Sequence, residues 1–179
     1  MGNPIFEKLY NDGVIVIVGQ LNPEITSDTI RTILNWNSID PFKELHLYIS
    51  SGAVSFTNVL ALYDTITSIS NPVYGYAVGS VSNCAVLLLA ACDKGKRFIF
   101  KNSEIGMHEI YAFFDNGANQ QTEVEIIKKE TTEQKDIFEA LLAKHTGKDI
   151  KDIHEDCIAS KSLSAEEAVA YGIVDQILE

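Results

Sequence analysis

Residues 73–100 read VYGYAVGSVSNCAVLLLAACDKGKRFIF, and this stretch decides the fold. Val73 to Val78 alternates β-favouring residues at strand length, and Gly79-Ser80 then interrupts it. Cys84 to Cys92 is almost wholly apolar, so a helix there has no face for solvent and must be buried on every side. Lys94-Gly95-Lys96 is a turn, and Phe98 to Phe100 is a second strand. A strand, a buried helix and a returning strand within 28 residues is the unit of a layered α/β protein.

The same alternation continues in both directions. Upstream, the β-branched run Val14 to Val18 is a strand, and Asn22-Pro23 offers an N-cap followed by proline at the first helical position. Ile30, Ile33 and Leu34 carry that helix on until Asp40-Pro41 breaks it, and Leu45 to Ser50 reads as a buried strand. Phe56, Val59, Leu60, Tyr63, Ile66 and Ile69 recur every three or four residues, one face of a helix that ends before Asn71-Pro72. Downstream, Ile105 to His108 is strand-like and Asp115 to Gln121 is a glycine- and amide-rich loop. Val124, Ile127, Thr131, Gln134, Phe138, Leu141 and Leu142 keep helical spacing over the longest helix, with Glu125 and Lys129 as an i,i+4 pair. Ser164-Ala165-Glu166-Glu167 is a capping box, Gly172 stops the helix it opens, and Ile173 to Leu178 is the last strand.

Composition excludes several classes. With 25 acidic against 14 basic residues the net charge is −11, and Arg31 and Arg97 are the only arginines, which argues against nucleic acid as a partner. No run approaches the ~18 apolar residues of a membrane span, and the N-terminus has no basic region followed by an apolar core. Three cysteines, Cys84, Cys92 and Cys157, without CxxC spacing, fit reduced buried thiols rather than disulfides or a metal site. A soluble intracellular domain spanning 1–179, without metal or cofactor, is the expectation.

Three places carry candidate chemistry. The turn Gly79 to Cys84 feeds a buried helix, where a hydroxyl could attack and the helix N-terminus would stabilise an oxyanion; capping by Ser82 or Asn83 is the plainer reading. The Gly-x-Ser-x-Gly elbow is absent. His108 closes a strand and is either a general base or a structural histidine beside His46, His145 and His154. Glu155 and Asp156 could orient a base or form a solvated helix face.

Four stretches bring these segments to a known family: Leu47-Tyr48-Ile49 and Leu62-Tyr63-Asp64-Thr65 around residues 50–55; Ala85 to Ala91 leading into Lys94-Gly95-Lys96-Arg97-Phe98; Asn102-Ser103-Glu104-Ile105 up to His108; and Leu142 to Gly147 through Leu163-Ser164-Ala165-Glu166-Glu167-Ala168 to Tyr171-Gly172-Ile173-Val174-Asp175. From about Leu9 to Leu178 the chain resembles the ClpP family, the peptidase-chamber subunits of ATP-dependent Clp proteases. The resemblance implies a crotonase-like spiral of ββα units with a protruding strand–helix handle, fourteen copies stacking as two heptameric rings around a chamber. The handle falls on about 120–144, with Thr122 to Ile126 similar to the family's handle strand and three extra residues within Tyr111 to Asn119.

The family's catalytic residues transfer incompletely. Counting back from Lys94-Gly95-Lys96-Arg97, the nucleophilic serine falls on Asn83; counting back from Leu163-Ser164-Ala165, the aspartate falls on Ser160; the histidine falls on His108 and is retained. A carboxamide nitrogen is delocalised and cannot replace an attacking hydroxyl, and Ser160 cannot hold the charge that orients an imidazole. The oxyanion loop reads Ser50-Ser51-Gly52-Ala53-Val54, with Val54 where a glycine would present its N–H and Cys84 supplying the second N–H. Ser82, one residue early, is the alternative nucleophile, and a Cys84 thiolate is a weaker one.

The N-terminal segment 1–13 is shorter than the family's pore loop, and the charged pair used for ring contact reads Ile158-Ala159. The resemblance therefore implies a proteolytically silent, structural or regulatory ring subunit similar to the ClpR type, forming a heptameric ring or double ring, or mixed rings with catalytic ClpP subunits, and serving an AAA+ Clp ATPase. An active serine endopeptidase using Ser82 is the second reading. Acyl-CoA chemistry on the same fold is a third, disfavoured by the lack of a basic surface for the CoA phosphates.

Overall fold

The computed structural model describes residues 4–53, 55–110 and 121–179. Its frame is a five-stranded parallel sheet in the order β1 (Val14–Val18), β2 (Leu45–Ser50), β3 (Val73–Ala77), β5 (Arg97–Phe100) and β8 (Gln176–Leu178). A small sheet lies beside it: β4 (Ser80–Ser82) pairs parallel with β6 (Glu104–Gly106), which pairs antiparallel with β7 (Ser162–Leu163). This mixed α/β architecture with a mainly parallel sheet is the fold class expected from the sequence.

Helices cover one face of the large sheet because alternate strand residues point that way. Ile15, Ile17, Leu45, Leu47, Ile49, Val73, Ala77 and Ile99 are buried there. Against them lie α2 (Pro23–Ile39), α3 (Phe56–Ser68) and α4 (Val86–Ala91), with every residue of α4 buried as its composition requires. Each fully buried leucine among Leu87 to Leu89 contributes about 1.5–3 kcal/mol relative to exposure. The α2 start follows the expected chemistry: Asn22 Oδ1 accepts from the Ile25 N–H at 2.8 Å, and Pro23 stands at the first helical position. The capping box forms at α7 (Ala165–Tyr171), and Gly172 closes that helix at φ 90°, a left-handed conformation that glycine enters freely.

The opposite sheet face carries no helix among the described residues. His46, Tyr48, Tyr74, Tyr76 and Phe98 lie half-buried on it, Tyr76 stacking on Tyr48 and Phe98 at 4.5 and 5.3 Å, while Val16 and Val18 are 55% and 62% exposed.

Several elements differ from the sequence expectation. Residues 122–126 are helical, not a strand, because α5 (Gln121–Thr146) begins before them. The segment is rich in glutamate, lysine and isoleucine with no proline or glycine to stop a helix, and Thr131 Oγ1 bonds back to the Ile127 carbonyl within it. Lys129 pairs with Glu133 at 3.8 Å instead of with Glu125. The N-terminal segment contains α1 (Pro4–Asn11), held where Tyr10 packs on Trp36 at 5.3 Å and Asn35 donates to the Tyr10 hydroxyl. The buried helix begins with a 3-10 turn over Asn83–Ala85. Glu155 and Asp156 sit on α6 (Ile150–Ile158). Val54, the lengthening within Tyr111 to Asn119 and most of the amide-rich loop lie outside the described residues.

Candidate functional site

The site sits where β4 passes into the buried helix, between the loop after β2 and the end of β6. Parallel pairing sets Ser82 beside Gly106, and His108 follows two residues later on the same face. A Cβ built on Gly106 would lie 2.7 Å from Ser82 Cβ and 3.0 Å from His108 Nε2. The two side chains therefore flank one point, and only a glycine fits between them. Across the cleft, a Cβ on Gly52 would meet Ser82 Oγ at 3.1 Å and Asn83 Nδ2 at 3.6 Å. Two glycines thus let three polar side chains converge, and Gly106, two residues before the histidine, was the sequence signal for it.

Position 160 lies just before β7. Ile105 pairs with Leu163, Gly106 with Ser162, and the Met107 N–H donates to the Lys161 carbonyl at 2.8 Å. Ser160 precedes this pairing in the turn after α6, where its N–H donates to the Cys157 carbonyl at 3.1 Å. Ser160 has φ 49° and is exposed, and His108 is half-buried with no hydrogen-bond partner among the described residues. Of the candidates, Ser82 and Asn83 thus lie against Gly52, and Ser82 and His108 against Gly106.

Asn83 sits at φ 54°, in the left-handed region that asparagine tolerates better than most residues. Its Nδ2 donates to the Gly52 carbonyl at 3.2 Å, and its Oδ1 is buried without a partner. Ser82 occupies the N-cap position of the 3-10 turn but makes no side-chain cap bond, and the Asn83 amide turns to Gly52 instead. The Cys84 N–H, expected as an oxyanion donor, is occupied: it donates to the Ala53 carbonyl at 3.1 Å. Residues 51–53 run beside 82–84 with carbonyls facing them, and a buried N–H takes such an acceptor when one is offered. The Cys84 thiol is 2% exposed, and burial pushes its pKa up to about 12, so it holds its proton and is no thiolate nucleophile.

The acidic candidates lie elsewhere. Asp156 binds Lys161 Nζ at 2.8 Å and Glu155 faces Lys151 at 3.8 Å, so both are engaged with lysines. The other histidines are structural: His46 bonds the Tyr76 hydroxyl, His145 the Tyr63 hydroxyl, and His154 the buried Glu139, each within 3.0 Å. Burial, with Lys144 and Arg97 adding to it, lowers the His145 pKa and keeps that ring neutral. No group of three or more metal-ligating side chains occurs among the described residues, and no helix there is long and apolar enough to cross a membrane. Gln20, unremarked in the sequence, reaches the site by donating to the Gly52 carbonyl at 3.0 Å.

Comparison with known proteins agrees with this geometry. The family model described as Clp protease matches residues 2–179. The chain is 34% identical over 174 residues to the ATP-dependent Clp protease proteolytic subunit 1 of Bifidobacterium longum, covering 97% of this chain and 74% of that protein. It is 35% identical to subunit 1 of Thermobifida fusca, covering 98% and 78%, and 33% identical to subunit 4 of Streptomyces avermitilis, covering 97% and 76%. With the family model matching nearly the whole chain and relatives about one-third identical along it, this chain belongs to the Clp protease family.

Proposed function

We propose that the chain is a Clp protease ring subunit without hydrolytic activity of its own, one ClpP-type unit over residues 1–179 that shapes or regulates a chamber. The observation that carries this reading is position 83. The residue at the start of the buried helix, where the attacking atom would stand, is an asparagine whose amide nitrogen is committed to the Gly52 carbonyl. A carboxamide does not attack an acyl carbon, Ser160 supplies no carboxylate to His108, and the Cys84 N–H is taken by Ala53. Ring assembly is supported by the uncovered face of the parallel sheet, since such sheets are ordinarily covered on both faces. By analogy with relatives named as subunits of ATP-dependent proteases, the partners are further copies, catalytic subunits in mixed rings, and an AAA+ Clp ATPase in a soluble intracellular compartment.

The purified chain should leave a fluorogenic peptide uncut and gain no mass from a fluorophosphonate. Native mass spectrometry, alone and mixed with a catalytically intact relative, should give rings in at least one case; monomers in both would end the assembly reading. One observation favours the second reading, an endopeptidase using Ser82: Ser82 and His108 flank the same point beside Gly106. A fluorophosphonate adduct that disappears in Ser82→Ala would establish it and overturn the first.

A further inference from the structure

The loop before α3 does more than lack a donor: it is bonded along its length to the start of the buried helix. The Ser82 N–H donates to the Ser51 carbonyl at 2.9 Å and the Cys84 N–H to the Ala53 carbonyl at 3.1 Å. Between these rungs the Gly52 carbonyl accepts two side-chain donors from different elements, Asn83 Nδ2 at 3.2 Å and Gln20 Nε2 at 3.0 Å. Behind them Ser51 Oγ donates to the Gly19 carbonyl at 2.6 Å, and Ser51 is 2% exposed. The Ser51 and Ala53 carbonyls thus face the backbone of residues 82–84, and the Gly52 carbonyl between them is held by Asn83 and the exposed Gln20.

We propose that Asn83, with Gln20, is a positioning residue that straps residues 51–53 across the start of the buried helix, so that the chain's own backbone fills the place of a ligand carbonyl. Asn83 adopts φ 54° and leaves its buried Oδ1 without a partner. Both are unfavourable, and the amide bond to Gly52 is what the side chain gains in return. The asparagine is then more than a lost nucleophile: its second amide atom does what a hydroxyl in its place would be too short to do. Groove closure concerns the loop and is independent of whether any residue cuts peptides, so it goes beyond the function proposed above.

The strap predicts slow exchange of the Ser82 and Cys84 amide hydrogens in the assembled, unliganded chain. In Asn83→Asp, the same shape without a donor, and in Asn83→Ala, those two amides should exchange about ten-fold faster while Leu47 and Ile49 in β2 keep their protection. Gln20→Ala, on the far side of the same carbonyl, should raise the same two amides by a smaller factor, and it decides the matter if the position-83 variants do not fold. Exchange at Ser82 and Cys84 within two-fold of the parent in the folded variants overturns the strap. A fluorophosphonate adduct on Ser82 would sink the silent-subunit reading and leave these exchange rates as they are, so the two failures are distinguishable.

Discussion

Restoring the attacking group should not restore a protease, and the structure says by how much it falls short. Asn83→Ser places a hydroxyl at the start of the buried helix, next in the chain to Ser82. Two deficits remain. Without a carboxylate at position 160 the imidazole has nothing to fix its tautomer or stabilise its protonated form, a loss of about 10⁴ in the general triad. With the Cys84 N–H bonded to Ala53 at 3.1 Å, one oxyanion donor is missing, worth about 10²–10³. Groups that act as a unit do not add, so the combined shortfall of about six to seven orders is an upper bound. The single variant should turn over a fluorogenic peptide no faster than the parent. Asn83→Ser with Ser160→Asp should recover a measurable rate on the proposed placing of the family's aspartate at position 160, where aspartate tolerates φ 49°. That double variant should stay about 10²-fold or more below a catalytic relative until the loop at 51–53 is released, for instance by adding Gln20→Ala. Progress curves normalised by fluorophosphonate titration separate rate per site from the number of competent sites. If Asn83→Ser alone comes within ten-fold of the double variant, His108 is oriented by something other than residue 160 and the role proposed for that position fails.

Three other outcomes test the frame that holds the site. Asp175 accepts four bonds, from Gly95 N, Arg97 N and the Arg97 guanidinium, with Arg97 only 3% exposed; Asp175→Asn strands that cation and should cost about 3 kcal/mol, lowering Tm by about 6–12 °C at fixed protein concentration. Burial pushes the Asp175 carboxyl up, but the Arg97 and Gly95 bonds outweigh it and hold the pKa below 3.8; its stabilisation is therefore present above that value and lost as pH falls through the lower folded pKa, and acid melts of Asp175→Asn should lack this component. Cys84, Cys92 and Cys157 are buried, with thiol pKa values pushed up to about 12, so iodoacetamide at pH 8 should modify none of them in the native chain and all three in denaturant; native labelling would show that the site opens. A Cβ on Gly75 would lie 2.7 Å from Cys92 Sγ and 3.0 Å from Leu89 Cδ1, so Gly75→Ala should destabilise by about 1–3 kcal/mol in a denaturant melt, and a neutral result would mean that α4 can lift from β3.

What the sequence made legible divides along a physical line. Elements with a long period or a strong local signal read correctly: β1 and β2 by their β-branched and alternating runs, α2 by Asn22-Pro23, α7 by its capping box, α4 by its unbroken apolarity. The short strands β4 and β7 carry too few residues for a period to show, and they exist because pairing supplies what local propensity does not, whereas β6 overlaps the strand expected from Ile105. The family's handle strand was the instructive miss. Resemblance placed it on Thr122 to Ile126, whereas the local glutamate- and lysine-rich composition favoured helix, and the local chemistry prevailed.

The site shows the same division one level down. The place of the family's aspartate at Ser160 stays a proposal, whereas that Ser82, Asn83 and His108 lie near Gly52 and Gly106 followed from the segments that the sequence singles out. Which backbone groups remain free did not, because a hydrogen bond such as Cys84 N–H to Ala53 carbonyl depends on the orientation of a peptide plane, and no side chain encodes that directly. The catalytic silence proposed for this chain would therefore have two kinds of cause. The residues at 83 and 160 lack the atoms of a nucleophile and a carboxylate, which two substitutions would supply. The occupied N–H is a state of the loop, which the proposed strap of Asn83 and Gln20 would maintain, so one residue would both lack a nucleophile and hold the Cys84 N–H engaged. Asn83→Ser therefore restores a hydroxyl and removes one of the two donors on the Gly52 carbonyl, leaving Gln20 as the remaining side-chain tie on the loop.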